Sequence, residues 1–160
     1  MSSAAKGNGA RPAIRRVYPL EDLCMGCGLC EVHCLVEHSQ SRQLLRAYLQ
    51  EQPTAVARIR VERQEDFFLP VQCRQCPEPI CVYSCLTGAL RRDPASGEVH
   101  VDQERCIGCW TCILACPYGA IRRDRERGVI AKCDLCPDRT VPACVVACPN
   151  EAISYIEELR

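Results

Sequence analysis

The 160-residue sequence predicts an α+β fold of short helices and small β-hairpins, arranged as a duplicated cysteine-rich unit. Three observations carry that expectation. The chain has 16 Cys, whereas Phe, Tyr and Trp together supply only 5%, too few large side chains to fill an interior alone. The cysteines divide without remainder into four groups of four. Two groups end in nearly the same pattern, SCLTGALRRD (84–93) and ACPYGAIRRD (115–124), and a weaker copy, ACPNEAI, ends the fourth.

Taken in order, residues 1–16, rich in Gly and Ala, read as a flexible N-terminal arm. They contain no apolar signal core, and Arg15-Arg16 is followed by Val-Tyr-Pro-Leu-Glu-Asp, not by a hydrophobic run. No stretch approaches the roughly 18 apolar residues of a membrane span. The expectation is a cytoplasmic, soluble chain without membrane insertion, and in a reducing compartment clustered cysteines favour metal over disulfides. Residues 17–160 read as one domain. Within it, 70–116 carries groups two and three, 17–34 plus 117–160 carries groups one and four, and 35–69 is an insertion.

Group one is Cys24, Cys27, Cys30 and Cys34. In the insertion, Leu44, Leu45, Tyr48 and Leu49 form a helical stripe that Pro53 ends, and ARIRVERQ (57–64) alternates as a strand. Group two is Cys73, Cys76, Cys81 and Cys85; group three is Cys106, Cys109, Cys112 and Cys116. After each Arg-Arg-Asp comes a turn and then a short β-branched run, Val99-His100-Val101 or Val129-Ile130, so each unit reads as a cysteine loop, a helix ending at the fourth cysteine, and a hairpin. The alternating charges of residues 122–127 predict a solvated turn. Group four is Cys133, Cys136, Cys144 and Cys148.

Every group opens with C-x2-C and closes with C-x3-C; only the middle gap varies, from two residues to four and seven. CIGCWTCILACP (106–117) is the C-x2-C-x2-C-x3-C-P run of bacterial [4Fe-4S] ferredoxins. A tight loop wraps three corners of a cubane cluster, and the fourth cysteine, on the segment leaving the loop, ligates the other cluster of a pair. Gly108 and Thr111 are small enough to bring backbone amides near the sulfur atoms. Groups two and three are separated by 20 residues and groups three and four by 16, so spacing alone lets either neighbour pair with group three.

Zinc is the rival ligand, and a zinc-stapled scaffold would bind partners without redox activity. Zinc ribbons, however, close with a second C-x2-C, whereas all four groups here close with C-x3-C. His33, His38 and His100 read as surface or outer-sphere residues, because no group lacks a ligand. Trp110 reads as a shield. An iron–sulfur redox sensor would need an output domain, and none is visible. There is no radical-SAM C-x3-C-x2-C, no P-loop and no G-x-G-x-x-G, and every cysteine is committed to a group, leaving no catalytic nucleophile. A formal net charge of zero argues against nucleic acid as a partner. The chain therefore reads as a non-catalytic electron conductor.

CMGCGLCEVHC, CRQCPEPICVYSC, CIGCWTCILACPYGAI and CDLCPDRTVPACVVACPNEAI together resemble the four-cluster, duplicated ferredoxin-like subunits of oxidoreductases. That family serves DMSO reductase, formate dehydrogenases, hydrogenases, CO dehydrogenase and tungsten aldehyde oxidoreductases, and the resemblance covers residues 17–156. It implies four [4Fe-4S] clusters. Cluster A takes Cys24, Cys27, Cys30 and Cys148; cluster B takes Cys133, Cys136, Cys144 and Cys34. Cluster C takes Cys73, Cys76, Cys81 and Cys116; cluster D takes Cys106, Cys109, Cys112 and Cys85. It also implies a tungsten- or molybdenum-containing or CO dehydrogenase partner, tungsten aldehyde oxidoreductase first, and a flavin/NAD-linked subunit. Terminal clusters at opposite surfaces would further let copies of the chain stack end to end as a wire. The arm and the insertion are the expected contacts for stacking.

Overall fold

The computed structural model describes residues 13–51, 55–65 and 67–159. Five short helices alternate with eight strands, and the strands pair only two by two. Strand β1 (Ala13–Pro19) runs antiparallel to the last strand, β8 (Ile153–Leu159), from Ala13 opposite Leu159 to Pro19 opposite Ile153. Residues 13–16 of the expected arm lie in this ribbon, where Ile14 and Val17 are buried. Residues 1–12 of that arm lie outside the described residues, as does Pro53.

Helix α1 (Leu29–Glu37) starts after Gly28, at φ 76°, and buries Cys30 and Cys34 one turn apart on the same face. Helix α2 (Leu44–Leu49) forms where the apolar stripe predicts it, but the stripe does not face the core. Ala47 is buried, while Leu45 and Leu49 are 72% and 74% exposed. Strand β2 (Arg60–Gln64) pairs with β3 (Phe67–Val71), a strand that FFLPV does not announce because Pro70 interrupts it. A ribbon of two strands tolerates proline, since each strand has an edge that needs no partner.

Helices α3 (Ile80–Tyr83), α4 (Thr111–Ala115) and α5 (Ala143–Val146) are single turns. The helices were expected to end at the fourth cysteine. Instead α1 runs past Cys34, and the other three stop one or two residues short of Cys85, Cys116 and Cys148. Pro79 and Pro142, extended at the starts of α3 and α5, delay the first turn and shorten both helices. The two expected hairpins are present with matching lengths: β4 (Leu90–Arg92) with β5 (Val99–Val101), and β6 (Arg122–Asp124) with β7 (Val129–Ala131).

Two apolar cores lie between these elements. One gathers Val17, Ala57, Ile59, Val61, Leu135 and Ile153 around Cys30, Cys34 and Cys144. The other gathers Leu90, Val99, Ile121 and Ile130 around Cys112. Ile121 and Ile130 pack with the hairpin of groups two and three, and residues 57–61 of the insertion belong to the core of groups one and four. The charged stretch 122–127 is also not simply a solvated turn. Asp124 is buried and accepts hydrogen bonds from the Arg127 backbone N–H (3.0 Å) and Nε (2.8 Å), and the Arg123 guanidinium stacks 4.9 Å from the Trp110 ring.

Gly108 joins the third cysteine loop to the β6–β7 turn. A Cβ there would stand 2.3 Å from the Gly128 carbonyl oxygen, and its φ is 64°. Gly128 also has positive φ, but a Cβ there meets nothing within 4 Å. Gly108→Ala is therefore expected to cost about 1–3 kcal/mol and to lower the melting temperature of the metal-loaded protein by several degrees. Gly128→Ala should cost less, and a thermal melt of both variants checks the order.

Candidate metal centres

In each C-x2-C the residue just before the second cysteine has a left-handed backbone: Gly26 (φ 71°), Gln75 (46°), Gly108 (64°) and Leu135 (62°). Successive residues of opposite handedness turn several N–H groups toward one point, a concavity suited to an anion or an iron–sulfur cluster. Glycine announces this turn in two loops. In the other two a buried side chain imposes it, as Gln75 and Leu135 are each 1% exposed, and no local sequence signal marks them.

The loops then meet cysteines from elsewhere in the chain. Cys24, Cys27 and Cys30 line a cavity of about 310 Å³ together with Cys148. Cys106, Cys109 and Cys112 line another of about 310 Å³ with Cys85. Cys73, Cys76 and Cys81 share a wider, more open cavity of about 1440 Å³ with Cys116. Cys144 is buried beside Cys133, Cys34 and Cys136, close enough to feel the charge of each. Each of the three cavities joins three cysteines of one loop to the last cysteine of another group.

Burial pushes several of these thiols up: Cys30 to about 12, Cys81, Cys112 and Cys136 to about 11, with Cys76, Cys133 and Cys144 also raised. Thiolates crowded in an apolar interior need a cation in place of the proton. The opposite shift occurs at Cys109, held down by the Thr111 hydroxyl and amide, and at Cys85, where backbone N–H groups outweigh burial. Donors reach other sulfur atoms as well. The amides of Arg58 and Ala152 lie 3.2 Å from Cys34 Sγ and Cys148 Sγ, that of Gln75 lies 3.5 Å from Cys73 Sγ, and Thr111 Oγ1 lies 3.5 Å from Cys109 Sγ. Thiolates in sets of four, apolar walls and N–H···S donors fit [4Fe-4S] clusters, whose irons are held by cysteine sulfur and whose potentials follow hydrogen bonding and exposure.

His38 lies outside its quartet but touches it. Its Nδ1 donates to the Cys34 carbonyl oxygen at 2.7 Å and lies 3.7 Å from Cys34 Sγ, while Nε2 donates to Asp134 Oδ1 at 3.1 Å. Burial opposes its charge, but Asp134 and Cys34 outweigh burial and raise the imidazole to about 9. The Asp134 carboxylate, paired also with Arg58, is held well below the usual carboxylate range despite its burial. His38, Asp134 and Cys136 converge within ligand distance of one another. They form the outer wall of the Cys34 set and not a separate centre, because Asp134 is already taken by two cations. His100 is half-exposed on β5. Trp110 lines the Cys106 cavity as expected of a shield, whereas Gly108 answers first to the Gly128 carbonyl.

Residues 64–158 match the family described as the 4Fe-4S dicluster domain. The chain belongs to this family of iron–sulfur electron-transfer proteins. It is 38% identical over 157 residues to an iron-sulfur protein of Rhodospirillum rubrum, covering 88% of this chain and 81% of the relative. It is 41% identical over 128 residues to the polyferredoxin-like subunit of an aliphatic sulfonate oxidoreductase from Pyrococcus furiosus, covering 79% of this chain and 67% of the relative. A chain of the BamBC active-site complex of benzoyl-coenzyme A reductase shares the fold at a TM-score of 0.55 and 22% identity, covering 94% of this chain and 79% of that one. As a member of the family, the chain is a non-catalytic iron–sulfur subunit.

The Thr111 hydroxyl offers a direct check on the tuning of one quartet. Thr111→Val keeps the shape and removes the donor to Cys109 Sγ. The reduction potential of the cluster bound there is expected to fall by about 20–60 mV, the loss of roughly 0.5–1.5 kcal/mol of hydrogen bonding. The other signals should stay in place in an EPR-monitored titration.

Proposed function

We propose that the chain carries four [4Fe-4S] clusters, ligated as sets A to D above, and conducts electrons between a catalytic oxidoreductase subunit and a second redox partner. The observation that carries this reading is the contiguity of the sets. Cys30 of set A and Cys144 of set B sit in one apolar core, Gln75 in the loop of set C donates to the Cys133 carbonyl oxygen of set B at 3.1 Å, and Cys81 of set C packs against Cys112 of set D in the other core. Neighbouring one-electron centres in that order form a path. Cys27 in the first set and Cys109 in the last are exposed, where exchange with partners needs an opening. The duplicated unit, a loop, a helical turn and a hairpin, is read as the origin of the path.

A catalytic oxidoreductase partner is supported by the subunit role named for the Pyrococcus relative. Within that class the family resemblance ranks tungsten aldehyde oxidoreductase first, then CO dehydrogenase, formate dehydrogenase or hydrogenase, with a flavin/NAD-linked subunit at the other end. The cytoplasm is the proposed location; among the described residues no helix is long and apolar enough to cross a membrane. Stacking of copies belongs to the same proposal, and the exposed stripe of α2 in the insertion supplies apolar surface for it. Native mass spectrometry showing one fixed mass at all concentrations counts against stacking.

The experiment is anaerobic purification followed by iron, acid-labile sulfide and zinc analysis. About sixteen irons and sixteen sulfides per chain are expected for four cubanes; about four zincs without sulfide would end the reading. Cys34→Ala then tests the ligand sets. It should damage the A and B signals and leave C and D intact, and loss of the C signal in their place overturns the assignment.

A further inference from the structure

Lys132 is 3% exposed, and its hydrogen-bond partners are three neutral oxygens. Its Nζ lies 2.6 Å from the Val99 carbonyl oxygen, 2.9 Å from that of Cys133 and 3.3 Å from Gln75 Oε1. Gln75 is itself 1% exposed, and its orientation is fixed: Oε1 accepts the Val99 N–H at 2.8 Å, and Nε2 donates to the Cys133 carbonyl oxygen at 3.1 Å. Three acceptors around one nitrogen require three N–H donors, which an ammonium has and a neutral amine lacks. No carboxylate pairs with Lys132 among the described residues. Burying such a charge costs several kcal/mol unless an opposite charge answers it.

The opposite charge available is sulfur. Lys132 lines the cavity of Cys73, Cys76, Cys81 and Cys116, and it precedes Cys133 of the next set in the chain. It opposes the burial that pushes the thiols of Cys81 and Cys133 up. We infer that Lys132, held by Gln75, is the buried counter-ion of the two middle clusters and raises their reduction potentials relative to the outer two. On reduction one electron arrives from the donor partner, no bond forms or breaks, and the centre becomes one unit more negative. A fixed ammonium beside it favours that state. Electrons are thereby held in the interior of the path, away from the exposed Cys27 and Cys109.

This inference rests on the cluster reading above, and metal content separates the two failures. Iron and sulfide are counted first in the full chain, and a wild type without sixteen irons defeats the cluster reading itself. Potentials are then measured by EPR-monitored titration, with Cys27→Ser and Cys109→Ser marking the outer clusters. Lys132→Gln is expected to make reduction of two clusters at least tenfold less favourable, about 59 mV for a one-electron couple, with the outer two unmoved. Unchanged potentials at full iron, or an equal shift of all four, would falsify it. Gln75→Glu leaves the lysine in place and supplies a carboxylate, so the same two potentials should fall. If Lys132→Gln loses its iron, Gln75→Glu decides, and unchanged potentials in that variant overturn the inference.

Discussion

Three cysteines of one loop and one from far along the chain come together at three cavities, and the rest of the structure follows from that crossing. Cys148 meets the loop of Cys24, Cys85 meets the loop of Cys106, and Cys116 meets the loop of Cys73. The segments between the quartets must return each last cysteine to another loop. The single-turn helices set the angle at which the chain leaves a loop, and the hairpins bring it back. Apolar packing takes second place, which is why two modest cores form around the sulfur atoms, with Phe68, Tyr155 and Trp110 only at their edges.

Charge is distributed along the same line. Set B is walled by His38, Asp134 and Arg58, a cation–anion–cation arrangement in which each charge is answered locally. Set C faces Lys132, whose charge no carboxylate answers among the described residues. At set D the thiols of Cys85 and Cys109 are open to hydroxyl and amide donors and shift in the direction opposite to their buried counterparts. One ligand chemistry is thus placed in several electrostatic settings, and in iron–sulfur proteins such differences separate potentials.

Spacing made the cysteines legible because a metal site imposes covalent-scale distances on short loops, and composition reinforces that demand. The two hairpins were legible because a short β-branched run follows the turn after each Arg-Arg-Asp. The β1–β8 ribbon was not: its strands lie at opposite ends of the described chain, and their pairing depends on Ile14 and Val17 finding a core that no local pattern reveals. The helical period of residues 44–49 was readable, but period says only that a face is apolar, and this face points away from the core. Lys132 reads as an ordinary charged residue until the fold closes Gln75 and Val99 over it.

Among the described residues the strands form four separate two-stranded ribbons, and no strand has a second neighbour. Isolated ribbons of this kind are marginal in water, and helices of four to nine residues are too short to persist alone. The polypeptide therefore has little secondary structure that could outlast its metal. Acid, oxidants or chelators that strip iron would loosen the interior, so the metal-free chain is expected to be more open to proteases than the loaded protein.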